Sequence, residues 1–77
     1  MIRCAQLSHM FYQYQIIELT RDINPVLKAG MEGVILEVWD ENNYEVEFLD
    51  EVGFNYEYNG EATFTMKSTD ISPRKQT

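Results

Sequence analysis

The chain has 77 residues, 44% of them hydrophobic and 13% aromatic. That length allows one small core and excludes a second domain or a deep enzyme cavity with its own supporting shell, and the composition is too apolar for a disordered chain. Six Lys and Arg against thirteen Asp and Glu give a net charge of -7, a surface that repels a phosphate backbone.

Residues 1–13 carry no acid, Gly or Pro and read as a leader segment. Ala5, Leu7, Met10 and Phe11 stand loosely at helical spacing, so the leader is either a short helix or an extended tail. Residues 14–20 are β-branched and aromatic, with Ile17 and Leu19 alternating against Ile16 and Glu18, and predict a first strand. Residues 21–30 form an excursion that contains Asn24-Pro25 and tucks Val26 and Leu27 inward, ending in a tight turn at Lys28-Ala29-Gly30. Residues 33–39 alternate. Glu37 marks one side as wet, which predicts Val34, Leu36 and Val38 in the core and Ile35 and Trp39 outside. Asp40-Glu41-Asn42-Asn43 reads as a polar turn. Residues 44–49 then place Tyr44, Val46 and Phe48 inward and Glu45 and Glu47 outward, so that 33–49 reads as a β-hairpin. A turn at 50–53 precedes a fourth strand over Phe54–Tyr58. Asn59-Gly60 is a strong hairpin dipeptide, and residues 61–68 return with Phe64 and Met66 opposite Thr63 and Thr65. Thr69-Asp70-Ile71 resembles one helical turn, and a polar tail follows from Arg74. Five short strands without a crossover helix predict an all-β, antiparallel small barrel over 14–73.

Charge is concentrated in one stretch. Residues 37–61 contain Glu37, Asp40, Glu41, Glu45, Glu47, Asp50, Glu51, Glu57 and Glu61 and no Lys or Arg. The plain reading is a solvated face that keeps a small domain soluble; the sharper one is a docking surface for a basic protein partner. Cys4 has no internal partner, so no oxidising compartment is needed. No run of eighteen apolar residues exists to span a membrane. A soluble cytoplasmic chain is expected, binding neither nucleic acid nor membrane.

Catalytic and metal chemistry find little footing. Cys4 and His9 offer two ligands where a structural zinc site needs four, and His9 is far in sequence from Ser68 and Ser72. Glu45 and Glu47 stand about 7 Å apart along one strand face. On a flat, wet hairpin neither has a reason to change its acidity, so they read as solvated surface rather than an acid–base pair. Gly30 and Gly33 read as turn glycines, with no phosphate loop around them. Trp39, Tyr56 and Tyr58 are candidates for a recognition patch, provided two of the three are exposed together; otherwise they pack on the sheet.

The stretch from Leu19 to Ser72 resembles a small bacterial family catalogued as domain of unknown function 4926. Leu27-Lys28-Ala29-Gly30, Gly33-Val34-Ile35 and Tyr44-Glu45-Val46-Glu47-Phe48 carry the likeness, followed by Asp50 and Gly53. The resemblance implies an SH3-like barrel, no catalytic residues and no cofactor, and small proteins encoded beside others. A non-enzymatic interaction module is therefore expected, with Glu37, Trp39, Asp40, Glu41, Glu45, Glu47, Tyr56 and Tyr58 at its surface. An inhibitor or immunity-type role is one concrete form. The alternative is an accessory β-module that stabilises a larger enzyme or complex through an apolar edge, which predicts a buried Trp39. Homodimerisation through an edge strand or the leader stays open.

Overall fold

Alternating apolar residues build five strands in the computed structural model, which describes residues 11–74. They are β1 (Ile16–Leu19), β2 (Glu32–Asp40), β3 (Asn43–Phe48), β4 (Thr63–Lys67) and β5 (Ile71–Pro73), with a 3-10 turn at Ser68–Asp70 between the last two. All pairings are antiparallel, in the order β4-β3-β2-β1-β5. The all-β expectation holds. The sheet does not close into a barrel: β4 and β5 stand at its two ends and do not pair.

The core lies on one face. Ile17, Leu27, Ile35, Tyr44, Val46 and Phe48 are fully buried, joined by Leu19, Phe64, Met66 and Ile71. Tyr44 can be buried because its hydroxyl donates to the Glu41 carbonyl at 2.7 Å, leaving no orphaned polar group. Leu27 reaches the core through the 21–30 excursion. Asn24 Oδ1 accepts the N–H groups of Val26 and Leu27, at 2.8 and 2.9 Å. Gly30, at φ 90°, then closes the turn with Met31 N–H on the Lys28 carbonyl. The Asn59-Gly60 turn also forms as expected: both residues take positive φ, and Tyr58 and Glu61 exchange two main-chain bonds of 3.0 Å.

Strand β2 is turned over relative to the sequence expectation. Ile35 is buried, Val34 and Leu36 are half-buried, and Val38 is exposed. Directly opposed residues of an antiparallel pair share a face. Gly33 opposes Phe48 and Ile35 opposes Val46, so inward Phe48 and Val46 carry Gly33 and Ile35 inward. The register shifts between Ile35 and Glu37. A bulge there changes the parity, and the wet side marked by Glu37 does not extend back to Ile35. Gly33 is accordingly a strand residue and not a turn glycine.

Residues 54–58 form no strand. Single bridges, Leu49 to Asn55 and Tyr58 to Glu61, are their only ladder contacts. Asp50 organises the segment instead: its Oδ1 accepts the N–H groups of Val52 and Phe54, at 3.0 and 2.9 Å. The fifth strand is β5, where the sequence reading placed a helical turn and a closing Pro. Its pairing with β1 sets Leu19 opposite Ile71 and Ile17 opposite Pro73. The turn before β5 is pinned by buried Asp70, whose carboxylate takes Arg21 Nε at 2.9 Å and Lys67 N–H at 3.1 Å.

The ordered fold begins before residue 14. Phe11 is buried and packs edge-on against Tyr44, ring centroids 5.3 Å apart. Tyr14 is no strand residue: it sits at φ 70° in a turn where Gln15 N–H donates to the Tyr12 carbonyl. The expectations for residues 1–10, with Cys4 and His9, and for residues 75–77 lie outside the described residues.

Candidate functional site: the outer face of the hairpin

The face opposite the core is acidic. Cross-strand register puts Glu18 opposite Glu32, Glu37 opposite Glu45, and Glu47 between Val34 and Thr63. Five glutamates thus share one side of the sheet. Like charges directly opposed are unfavourable, and the protein offsets them differently along the face. Glu32 pairs with Arg74 Nε at 3.0 Å.

Glu45 is held by three donors. Thr63 Oγ1 donates to Oε2 at 2.7 Å, and Thr65 Oγ1 and Trp39 Nε1 donate to Oε1 at 2.9 and 3.2 Å. Partial burial pushes the Glu45 pKa up, but hydrogen bonds from Thr63, Trp39 and Thr65 outweigh it and hold the carboxyl below its ordinary value. The sequence expectation that Glu45 has no reason to change its acidity is corrected by this network. Its direction still opposes an acid–base role, since a general acid at neutral pH needs the opposite shift. Glu47 is half-buried and accepts Asn55 Nδ2 at 3.2 Å.

The turn beyond is likewise built by an acid. Asp40 Oδ1 accepts Asn42 N–H at 2.8 Å and Asn43 Nδ2 at 3.0 Å. The Asn42 N–H first, then the Asn43 side chain, lower the Asp40 pKa. Glu37, Trp39, Asp40 and Glu41 are all exposed, Trp39 at 58%. From Glu37 to Asp40 every β2 residue is exposed, so this arm of the hairpin presents both its faces to solvent.

Of the three aromatic candidates only Trp39 is open. Tyr56 and Tyr58 are half-buried and pack against the core, so the two-of-three condition is not met. The sequence reading missed the exposed apolar side chains Leu49, Val52 and Phe54, the last two 75% and 70% exposed. Their neighbours Asp50 and Gly53 signalled a turn, but a turn signal does not say which side chains stay wet.

Among the described residues no group of three or more His, Cys, Asp or Glu could hold a metal ion. No helix among them is long and apolar enough to cross a membrane. No curated protein and no solved structure matches the chain significantly. Residues 13–69, most of the chain, match the family described as Domain of unknown function (DUF4926). With its turn glycine at Gly30, its packed glycine at Gly33 and its Tyr44–Phe48 strand inside that match, the chain belongs to this family.

Proposed function

We infer that the protein is a binding module whose acidic hairpin docks a basic protein partner. The observation that carries this reading is the juxtaposition of Glu37 and Glu45 across β2 and β3, beside an exposed Trp39. Opposing two glutamates is unfavourable for folding, and apart from the Trp39 Nε1 bond to Glu45 the exposed indole ring is left without a packing partner in the fold. A partner cation between the carboxylates, with the ring against its aliphatic stem, makes use of both. Glu41 and Asp40 extend the negative field to the tip of the hairpin. An inhibitor or immunity-type role, and a cytoplasmic setting, are in keeping with this chemistry.

Glu45 and Glu47 are poor probes of the surface, because their carboxylates are tied to Thr63, Thr65, Trp39 and Asn55. Glu37 and Glu41 are better ones. The test is capture from a lysate of the native host by immobilised chain, at low and high salt. The double variant Glu37→Lys, Glu41→Lys is run beside a control Glu57→Lys. A basic protein retained at low salt, lost at high salt, lost with the double variant and kept by the control supports the reading. Capture that ignores both salt and the double variant refutes it. It favours the accessory-module alternative, for which the exposed apolar side chains Leu49, Val52 and Phe54 are available contacts.

A further inference from the structure

The sheet ends in two unlike edges. β5 is three residues long and ends in Pro73, which has no N–H to offer. β4 is five residues long, with no Pro and no register shift, and among the described residues it pairs only with β3. Alternation fixes which of its main-chain groups are free. Ser68 N–H turns toward β3 and donates to the Asn42 carbonyl at 2.9 Å, whereas Lys67 N–H turns to Asp70. Successive strand residues point their N–H and C=O to opposite sides. Thr65 and Thr63, in step with Lys67, therefore direct theirs away from β3 to the open edge.

We propose that this edge receives an extended basic segment of the partner as a sixth strand, antiparallel or parallel to β4, with Lys or Arg at alternate positions. The proposal rests on the acidic-surface reading above and gives it a docking geometry. Charge complementarity argues for the occupant. An added strand lies about 4.8 Å from β4 and about twice that from β3. Between it and the carboxylates stand only the short side chains of Thr63 and Thr65. A Lys or Arg beside Thr65 reaches over it to Glu45, and one beside Thr63 reaches Glu47, which it opposes. Residues two apart on a strand share a face, so the Glu45–Glu47 spacing selects alternate cations. A second copy of this chain is a worse occupant: it brings Lys67 but also a net charge of -7.

The probe is a synthetic peptide alternating lysine with threonine, added to the full chain at low salt. Amide hydrogen exchange by NMR is expected to show Thr63 and Thr65 gaining protection. Thr65→Pro removes an outward N–H that the β3 ladder does not use and also the hydroxyl on Glu45, so it is compared with Thr65→Val, which loses the hydroxyl alone. The proline is expected to weaken peptide binding at least about tenfold relative to the valine while both variants stay folded. The exchange measurement uses the unaltered chain and does not depend on either variant folding. Peptide binding without protection of Thr63 and Thr65 overturns the proposal. Protection already present in the dilute free chain does so as well, and protection that rises with chain concentration alone assigns the edge to self-association. If Thr65→Pro binds normally while Glu37→Lys, Glu41→Lys does not, the acidic-surface reading stands and the edge proposal falls.

Discussion

Replacing Gly33 with alanine adds one methyl group, and the structure says where it goes. A Cβ at this position would lie 2.7 Å from Phe48 Cε1 and 2.8 Å from both Phe48 Cδ1 and Val46 Cγ1. Phe48 and Val46 are both fully buried, so neither ring nor methyl has open space to retreat into. Overpacking of this kind costs about 1–3 kcal/mol. The backbone of Gly33 lies outside the left-handed region, so alanine adds no torsional strain. Loss of glycine's freedom in the unfolded chain returns about 0.5 kcal/mol. The expected net loss is about 1.5 kcal/mol, which for a domain of this size lowers Tm by about 9 °C. Urea unfolding followed by circular dichroism measures it as a lower midpoint at unchanged slope. Phe48→Leu removes Cε1, so the alanine should cost less in that background than in the parent. A Gly33→Ala variant as stable as the parent, or more so, refutes the close packing of β2 on Phe48.

Two further outcomes follow from the charged groups. Glu45 has its pKa lowered in the fold, so its contribution is fully present above the ordinary value of 4.5 and fades as pH falls through the lower folded value. Urea midpoints measured from pH 7 down to about pH 3 should therefore fall less steeply in Glu45→Gln than in the parent; identical slopes would count against the three-donor network. Asp70→Ala should cost about 2 kcal/mol, because it strands the part-buried Lys67 N–H and removes the partner of the exposed Arg21. Arg21→Ala, whose side chain is 62% exposed, should cost under about 1 kcal/mol. Equal losses in the two variants would show that the ion pair, rather than the cap on the turn, holds β4 to β5.

Local alternation made most of the sheet readable. Tyr44, Val46 and Phe48 faced inward as their spacing required, as did Ile17, Leu19, Phe64 and Met66. Turn chemistry was equally legible at Gly30 and Asn59-Gly60, where positive φ excludes most residues. What failed was parity carried across a defect. One bulge beyond Ile35 reversed the outward signal of Glu37, and nothing in residues 33–39 announces it. Phe54–Tyr58 alternated like a strand, but Asp50 drew the Phe54 N–H into its turn, and the Tyr56 and Tyr58 N–H groups go to two different partners, Phe48 and Glu61, rather than to one continuous neighbour. Of the candidate surface, Glu37, Trp39, Asp40 and Glu41 stood where their polarity suggested. Tyr56 and Tyr58 did not, because a tyrosine can lean its ring on the core and still keep its hydroxyl near water. The hold of Thr63 and Thr65 on Glu45 spans 18 and 20 residues, and that distance in sequence hid it.

The first strand of this fold is stitched to the last. With Leu19 beside Ile71 and Arg21 on Asp70, the β1–β2–β3–β4 meander can form from near neighbours, but the outer edge of β1 must wait for β5 to be made. During synthesis the emerging chain therefore carries a half-finished sheet until residue 73 has left the ribosome. A chain released before residue 71 has β1 uncovered on one side, and quality-control proteases should recognise the shortened protein rather than tolerate it.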